Sequence, residues 1–213
     1  MNVMKKLLFL GILCISSYSN AQIFVNDIDR VAVVIIDYCV NENGERYDIT
    51  INQEKSSYKD EAWQKGCLDH FKKSTLLYPM KLTNHCWQSV YYFVNSIYKD
   101  YELPEQERAK CKAFHLGNFK YENPAYSETI IKRRKNRQIE KGTSGRQVYS
   151  IEWTDDHTYI LKTEKLPSKI KHKKNTVISV EIIEVLNEHT YLCKSKRIDI
   201  EDSEIIFGLI TKL

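Results

Sequence analysis

The sequence predicts an α+β protein in two parts, a mixed β-β-α-β part followed by an all-β antiparallel meander. In the first part the apolar spacing alternates, becomes helical and alternates again, whereas the second part shows only short alternating segments. The charge also changes sign. Residues 22–109 carry 10 Lys or Arg and 14 Asp or Glu, and residues 110–213 carry 20 and 14. We therefore expect domains at 22–100 and 110–213, joined by a linker at 101–109.

Residues 1–21 have the composition of a secretory signal peptide. A basic pair precedes a short apolar run, and small residues at its end predict cleavage between Ala21 and Gln22. The apolar run is about half the roughly 20 residues that a membrane span needs, which argues against an uncleaved anchor. Leu13 before Cys14 argues against a lipoprotein, because that position requires a small residue. The expected product is periplasmic or secreted and has no membrane span after processing.

The first domain is expected to contain a hairpin, a helix and a long last strand. Asn43-Gly44 between two alternating segments is a strong hairpin signal, because both residues tolerate positive φ. Apolar residues at helical spacing then follow, with lysines on the other side. The expected elements are a strand at Val31–Val40, a strand at Tyr47–Ile51, a helix from about Asp60 to Thr75, Pro79 after it, and a strand from Cys86 to about Tyr98.

The second domain is expected to be a small lipocalin-like barrel or a sandwich. Eight short strands separated by tight turns are typical of either architecture, and closing a barrel would hide both edge strands. The chain's 14 tyrosines suit the half-buried surfaces of such sheets. The predicted strands are Phe114–Glu122, Glu128–Arg134, Arg137–Lys141, Gln147–Thr154, Tyr159–Lys165, Val177–Leu186, Thr190–Arg197 and Glu204–Lys212.

Residues 26–100 resemble the C-terminal domain of TonB-type energy transducers. The matching pieces are Val40-Asn41-Glu42-Asn43-Gly44, the strand with Ile49 and Ile51, the helix, Pro79 and Gln88-Ser89-Val90-Tyr91-Tyr92-Phe93. The transducers have an uncleaved anchor and a Pro-rich spacer, and we expect neither in this chain. The resemblance therefore implies a TonB-like fold and not energy transduction.

Residues 110–213 resemble a family of small exported β-domains with a Cys-x-x-Phe-x-x-Gly-x-Phe start and a Trp-x-x-Asp-Cys-x-Tyr element. The first motif stands as Cys111-Lys112-Ala113-Phe114-His115-Leu116-Gly117-Asn118-Phe119, and the second as Trp153-Thr154-Asp155-Asp156-His157-Thr158-Tyr159. His157 stands where the family has cysteine, so the resemblance implies that Cys111 lacks its partner. The family carries no established activity and implies fold and export only.

Cysteine and histidine spacing predicts neither a metal site nor a cofactor. Five cysteines remain after processing (Cys39, Cys67, Cys86, Cys111 and Cys193). Export permits disulfides, an odd number leaves at least one thiol outside an intramolecular bond, and the pairing cannot be deduced. No cysteine pair has the close spacing of a zinc knuckle. Asp155-Asp156-His157 could be an acid/base site, but aspartate at a turn more often bonds nearby backbone.

The last strand of the first domain is the first candidate interaction surface. Trp87, Tyr91 and Phe93 lie on one face and Tyr92 and Tyr98 on the other. One face can pack on the helix. The other is expected either to contact a partner or to be covered by the second domain. We predict that this strand is a sheet edge to which a partner strand can add.

The basic run at Lys132, Arg133 and Arg134 is the second candidate surface. It could contact an anionic surface, a polyanionic glycan or an acidic partner. The favoured alternative is a solvated hairpin tip whose Lys and Arg residues protect a strand edge. A second basic run, residues 169–174, is expected in an exposed loop.

The leading prediction is a non-enzymatic envelope protein that binds a protein or peptide by strand addition. The alternative is a carrier of a small apolar ligand in the barrel, and a weaker one is a secreted enzyme without a recognisable site. An apolar cavity of several hundred cubic ångströms would favour the carrier, and a filled interior the scaffold. The modest net charge of +4 does not require nucleic acid as a partner.

Overall fold

The computed structural model describes residues 22–75, 82–143, 145–167 and 175–213, which form a four-stranded sheet with a helix and a closed eight-stranded barrel. The predicted signal peptide, Pro79 and the basic run at 169–174 lie outside the described residues. The sheet has the order β1-β4-β2-β3. Its strands are β1 (Ile23–Val25), β2 (Val31–Val40), β3 (Arg46–Ile51) and β4 (His85–Asn95).

The hairpin predicted at Asn43-Gly44 connects β2 and β3. Asn41 Oδ1 accepts hydrogen bonds from the backbone N–H groups of Asn43 and Glu45, both at 2.9 Å. Gly44 has φ 81°, a conformation that costs glycine little. The turn and its register are thus encoded locally.

Helix α1 (Glu61–Lys73) covers one face of the sheet. It begins where Asp60 Oδ1 accepts the Trp63 N–H at 2.8 Å, and it ends before Ser74. Its residues Cys67 and Phe71 are buried against the sheet. The predicted order of strand, hairpin, strand, helix and strand is confirmed for the described residues. The TonB-like identity of this part stays a prediction.

The second half is a barrel and not a sandwich. Strands that are neighbours in sequence pair in the barrel, and pairing of its last strand with its first closes it. All eight predicted strands are present, each within a few residues of its expected bounds. They are β5 (Gly117–Tyr121), β6 (Ile130–Arg134), β7 (Arg137–Gly142), β8 (Gly145–Trp153), β9 (Thr158–Lys165), β10 (Val177–Val185), β11 (Thr190–Arg197) and β12 (Ile205–Lys212).

Strand β4 is an edge over only part of its length, which corrects the prediction. β2 pairs with it from His85 to Val94, and the short β1 pairs in parallel with Phe93–Asn95 on its other side. The sequence analysis missed β1, because three residues are too few to show a period. On the side of β1, the described residues form no strand against residues 85–92.

The barrel packs against the face of the sheet opposite α1. Val94 and Tyr98 of the first part form a buried cluster with Ile183, Leu192 and Phe207 of the barrel. The barrel therefore covers the aromatic face that the sequence left without a partner.

Polar contacts reinforce this junction. Arg30 of the sheet donates two hydrogen bonds of 2.9 Å to the two carboxylate oxygens of Glu184 on β10, and the Tyr98 hydroxyl donates to Glu184 at 2.6 Å. The hydrogen bonds from Arg30 and Tyr98 hold the pKa of Glu184 below its ordinary value. The expected linker is not uniformly exposed, because Leu103 is buried in the barrel core just before α2 (Glu105–Arg108).

Among the described helices, none combines the length and the apolar character that a membrane span requires.

Candidate ligand site in the barrel

The barrel interior contains a buried arginine, which corrects one predicted surface residue. Arg133 is 2% exposed and points into the barrel, while Lys132 and Arg134 on either side of it are exposed. Alternation along β6 explains this, because Ile131 and Arg133 lie on the same face of the strand. The basic run is therefore not a continuous surface patch.

Four acceptors near the closed end of the barrel hold the Arg133 guanidinium. Nε donates to Gln138 Oε1 at 2.9 Å, and one terminal nitrogen donates to the Phe114 carbonyl at 2.8 Å. The other contacts the hydroxyls of Tyr159 at 2.9 Å and Tyr191 at 3.1 Å. No carboxylate is among these acceptors, so the buried positive charge is satisfied by neutral groups.

Gln138 connects Arg133 to a buried carboxyl group two residues further along β7. Its Nε2 donates to Glu140 Oε1 at 2.8 Å, and the Tyr121 hydroxyl donates to the same oxygen at 3.1 Å. No described residue donates to Oε2. Burial raises the pKa of Glu140 above its ordinary value, although both hydrogen bonds and the charge of Arg133 act in the opposite direction.

A cavity of about 180 Å³ lies beside Glu140 inside the barrel. Its inner wall includes Glu140, Gln138 and Gly208. It reaches the surface at Tyr126 and Ile206, both of which are 48% exposed. The aromatic residues lining it are Tyr92, Tyr121, Tyr126, Tyr149, Tyr159 and Phe207.

A second cavity of about 170 Å³ lies between the sheet and the barrel. It shares Tyr92, Asn123, Phe207, Gly208 and Leu209 with the first cavity. These shared residues lie on β12, on the sheet and in the chain that follows β5. The entrance to the barrel interior therefore lies between β12 and the chain after β5. The sheet thus contributes Tyr92 to a site that is otherwise built by the barrel.

The other end of the barrel is closed by aromatic packing. The rings of His115 and Trp153 stack with centroids 3.6 Å apart, and the Arg133 guanidinium lies 5.6 Å from the Trp153 ring. Asp155 Oδ1 accepts the His157 N–H at 3.1 Å and contacts His157 Nδ1 at 2.6 Å. This is the geometry of a turn, so Asp155 and His157 hold the loop that closes this end.

The predicted aromatic interaction residues on β4 are separated by burial. Phe93 is fully buried against α1, with its ring 5.5 Å from that of Trp63. The Tyr91 hydroxyl lies 2.9 Å from His70 Nδ1. Trp87 is 37% exposed and donates to the Leu82 carbonyl at 3.1 Å. Phe93 cannot contact a partner, which corrects its assignment, whereas an interaction through Trp87 stays a prediction.

Cys39 and Cys86 form a disulfide between directly opposite positions of β2 and β4. The thiols of Cys67, Cys111 and Cys193 are free and buried. Burial raises the pKa of Cys111 to about 12, so its thiol stays protonated. Within the described ranges, no three His, Cys, Asp or Glu side chains are grouped in a way that could hold a metal ion.

Comparison with known proteins gives no match: no family model matches the chain, and neither a curated protein nor a solved structure does. The resemblances of the two halves to TonB-type domains and to small exported β-domains stay predictions.

Proposed function

We propose that this chain is an exported, non-enzymatic binding protein that holds a small molecule in the barrel cavity beside Glu140. One observation carries the proposal: Glu140 lines the cavity, and of its two carboxyl oxygens only Oε1 accepts hydrogen bonds from described residues. A ligand in the cavity can therefore donate to Oε2.

The size and lining of the cavity define the kind of ligand. About 180 Å³ is below the usual range for drug-sized ligands. Glu140, Gln138 and several tyrosine hydroxyls lie among the apolar side chains. The barrel interior is therefore neither the large apolar cavity expected of a carrier nor the filled interior expected of a scaffold. A compact amphipathic molecule fits better than the apolar ligand of the original alternative.

The cysteine arrangement supports the export part of the proposal. The disulfide lies at the open end of the sheet, where Cys86 is exposed. An exposed disulfide persists in oxidising compartments and is rare in the cytosol. A periplasmic or secreted location agrees with the predicted cleavage before Gln22.

Filling the cavity from β12 tests the proposal. Gly208 lines both cavities, and a Cβ added there meets no atom within 4 Å. Ligand-observed NMR with benzyl alcohol and benzylammonium should give binding signals with the wild-type chain and none with Gly208→Leu. Gly66→Leu is the matched control, since Gly66 lies on α1 and also has open space around it. Undiminished signals in Gly208→Leu would exclude the cavity as the site.

A second candidate function, strand addition, is supported by the open side of β4. The Asn95 N–H bonds to the Arg30 carbonyl, so odd-numbered residues of β4 bond to β2. The N–H and C=O groups of Cys86, Gln88, Val90 and Tyr92 therefore point to the open side. A strand of an envelope protein or peptide could pair with these groups.

Proline substitutions test strand addition. Val90→Pro removes an outward donor and leaves the β2 ladder intact, whereas Ser89→Pro breaks that ladder. Affinity purification of the tagged chain from envelope extract, followed by mass spectrometry, should lose its partner with Val90→Pro while thermal unfolding changes little. Retention of the partner by a folded Val90→Pro variant would exclude this edge.

Exposed Lys132 and Arg134 could add contacts to an anionic surface or glycan.

A further inference from the structure

We propose that the barrel cavity selects a small molecule bearing a protonated amine, whose ammonium group donates hydrogen bonds to Glu140. This inference rests on the proposed function and adds the chemical class of the ligand. It follows from the donors and acceptors around the cavity, the aromatic lining, and the position of Arg133.

The polar groups that line the cavity mainly offer acceptors. Each hydroxyl has one hydrogen to donate. The Tyr121 hydroxyl donates to Glu140, the Tyr149 hydroxyl donates to Gln147 Oε1 at 2.7 Å, and Ser195 Oγ donates to the Ile206 carbonyl at 3.1 Å. These three oxygens can therefore only accept from a ligand, as can Glu140 Oε2. A group with several N–H donors complements them.

The aromatic lining also favours a cation. Five tyrosines and Phe207 line a space of about 180 Å³. The faces of aromatic rings attract ammonium groups, and the attraction increases when water is excluded. A carboxylate together with aromatic rings is the combination that recognises an ammonium with an apolar substituent.

The position of Arg133 argues against an anionic ligand. Its nitrogens already donate to Gln138, Phe114, Tyr159 and Tyr191. Arg133 does not line the cavity, whereas Gln138 and Glu140 do. The positive charge of the guanidinium therefore acts on Glu140 from outside the cavity. The carboxyl group of Glu140 is the charged group that faces the ligand.

Three probes with the same ring and different charge test the inference: benzylammonium, benzyl alcohol and benzoate. Isothermal titration calorimetry with the full chain at about pH 8, where Glu140 is more fully ionised, should show benzylammonium binding at least about 10-fold tighter than either other probe. Glu140→Gln should reduce that preference to less than about 3-fold. Its thermal unfolding temperature should be no lower than that of the wild type, which shows that the variant is folded.

Glu152→Gln is the matched control, because Glu152 is an exposed glutamate on the outer face of β8. It should leave all three affinities unchanged. Benzyl alcohol or benzoate binding as tightly as benzylammonium would overturn the amine inference and leave the ligand site intact. An equal loss in both glutamate variants would also overturn it. If none of the three probes binds, the proposed function fails together with the inference.

Discussion

The core beneath the sheet and the interior of the barrel are filled in opposite ways. Between α1 and the sheet, the buried side chains are almost all apolar, such as Val34, Ile36 and Phe93. The barrel interior encloses Arg133, Gln138 and Glu140 among its apolar residues. An apolar core contributes stability through burial alone, whereas buried polar groups are costly unless each is paired.

The difference bears on the proposed binding site. The polar groups of the barrel are paired one after another, from Phe114 through Arg133 and Gln138 to Glu140, and the series ends at an oxygen beside a cavity. A barrel interior with a purely structural role would not need this series of polar groups, because proteins in which apolar residues replace buried charges are often as stable as the original. This contrast agrees with the proposal that the second half binds the ligand, and we expect the first half to contribute mainly stability.

Removing Arg133 should have the largest effect on stability. Arg133→Met leaves four acceptors without their donor and Glu140 without a nearby positive charge. Breaking a buried charged network on one side costs about 3–5 kcal/mol. Urea unfolding should show this loss for Arg133→Met and a change within about 0.5 kcal/mol for exposed Arg134→Met. Equal effects of the two substitutions would contradict the inward position of Arg133.

Removing the disulfide should destabilise the first half less strongly. Cys39 and Cys86 are 47 residues apart, and cross-links of such loops contribute about 2–4 kcal/mol. The double variant Cys39→Ser/Cys86→Ser should lose that amount in urea unfolding. A reductant should produce a similar loss in the wild-type chain and no further loss in the variant. A reductant-insensitive wild type would show that the bond is absent.

Weakening the junction should cost about 1–2 kcal/mol, since Glu184 and Arg30 are only partly buried. Because the pKa of Glu184 is lowered in the folded state, its contribution is complete above the ordinary value of 4.5. It is lost as the pH falls through the lowered value. Unfolding of wild type and Glu184→Gln should therefore differ at neutral pH and converge in acid. A difference that persists at low pH would indicate lost packing instead.

Neutralising Glu140 should have the smallest effect and the opposite sign. Its pKa is raised in the folded state, so ionisation costs stability as the pH rises above 4.5. Glu140→Gln keeps an oxygen for Gln138 and Tyr121 and should stabilise the chain by about 1 kcal/mol at neutral pH while weakening binding. The gain should shrink in acid. Thermal unfolding across pH measures it, and destabilisation at neutral pH would assign Glu140 a structural role.

The sequence predicted the strands and turns of the molecule well, because apolar and polar residues alternate along most strands and the turns carry Gly, Asn or Pro. It failed where polar residues point inward. In β7, Gln138 and Glu140 are buried and Ile139 is only partly so, which reverses the usual alternation. On β6, Ile131 and Arg133 are two residues apart and therefore lie on the same face of the strand. This spacing was the available signal that Arg133 points inward. Only the three-dimensional pairing of Gln138 with Arg133 shows why these groups can be buried.

The first half shows a different limit of sequence analysis. The face of β4 that contacts α1 follows from periodicity, but its neighbours in the sheet do not. β1 is short and pairs in parallel with residues distant in sequence, so no local pattern reports it. The role of Tyr92 in the cavity likewise depends on how the sheet packs on the barrel. Local patterns thus predicted elements, and packing decided the site.

The carboxyl group of Glu140 offers the most direct test of the account. Carbon NMR of this group during a pH titration of the full chain reports its pKa with and without benzylammonium. The account predicts a pKa above 4.5 in the free chain, because burial disfavours the charge, and a lower pKa with the ammonium bound. A Glu140 that titrates at or below 4.5 in the free chain, or that ignores saturating benzylammonium, would contradict it.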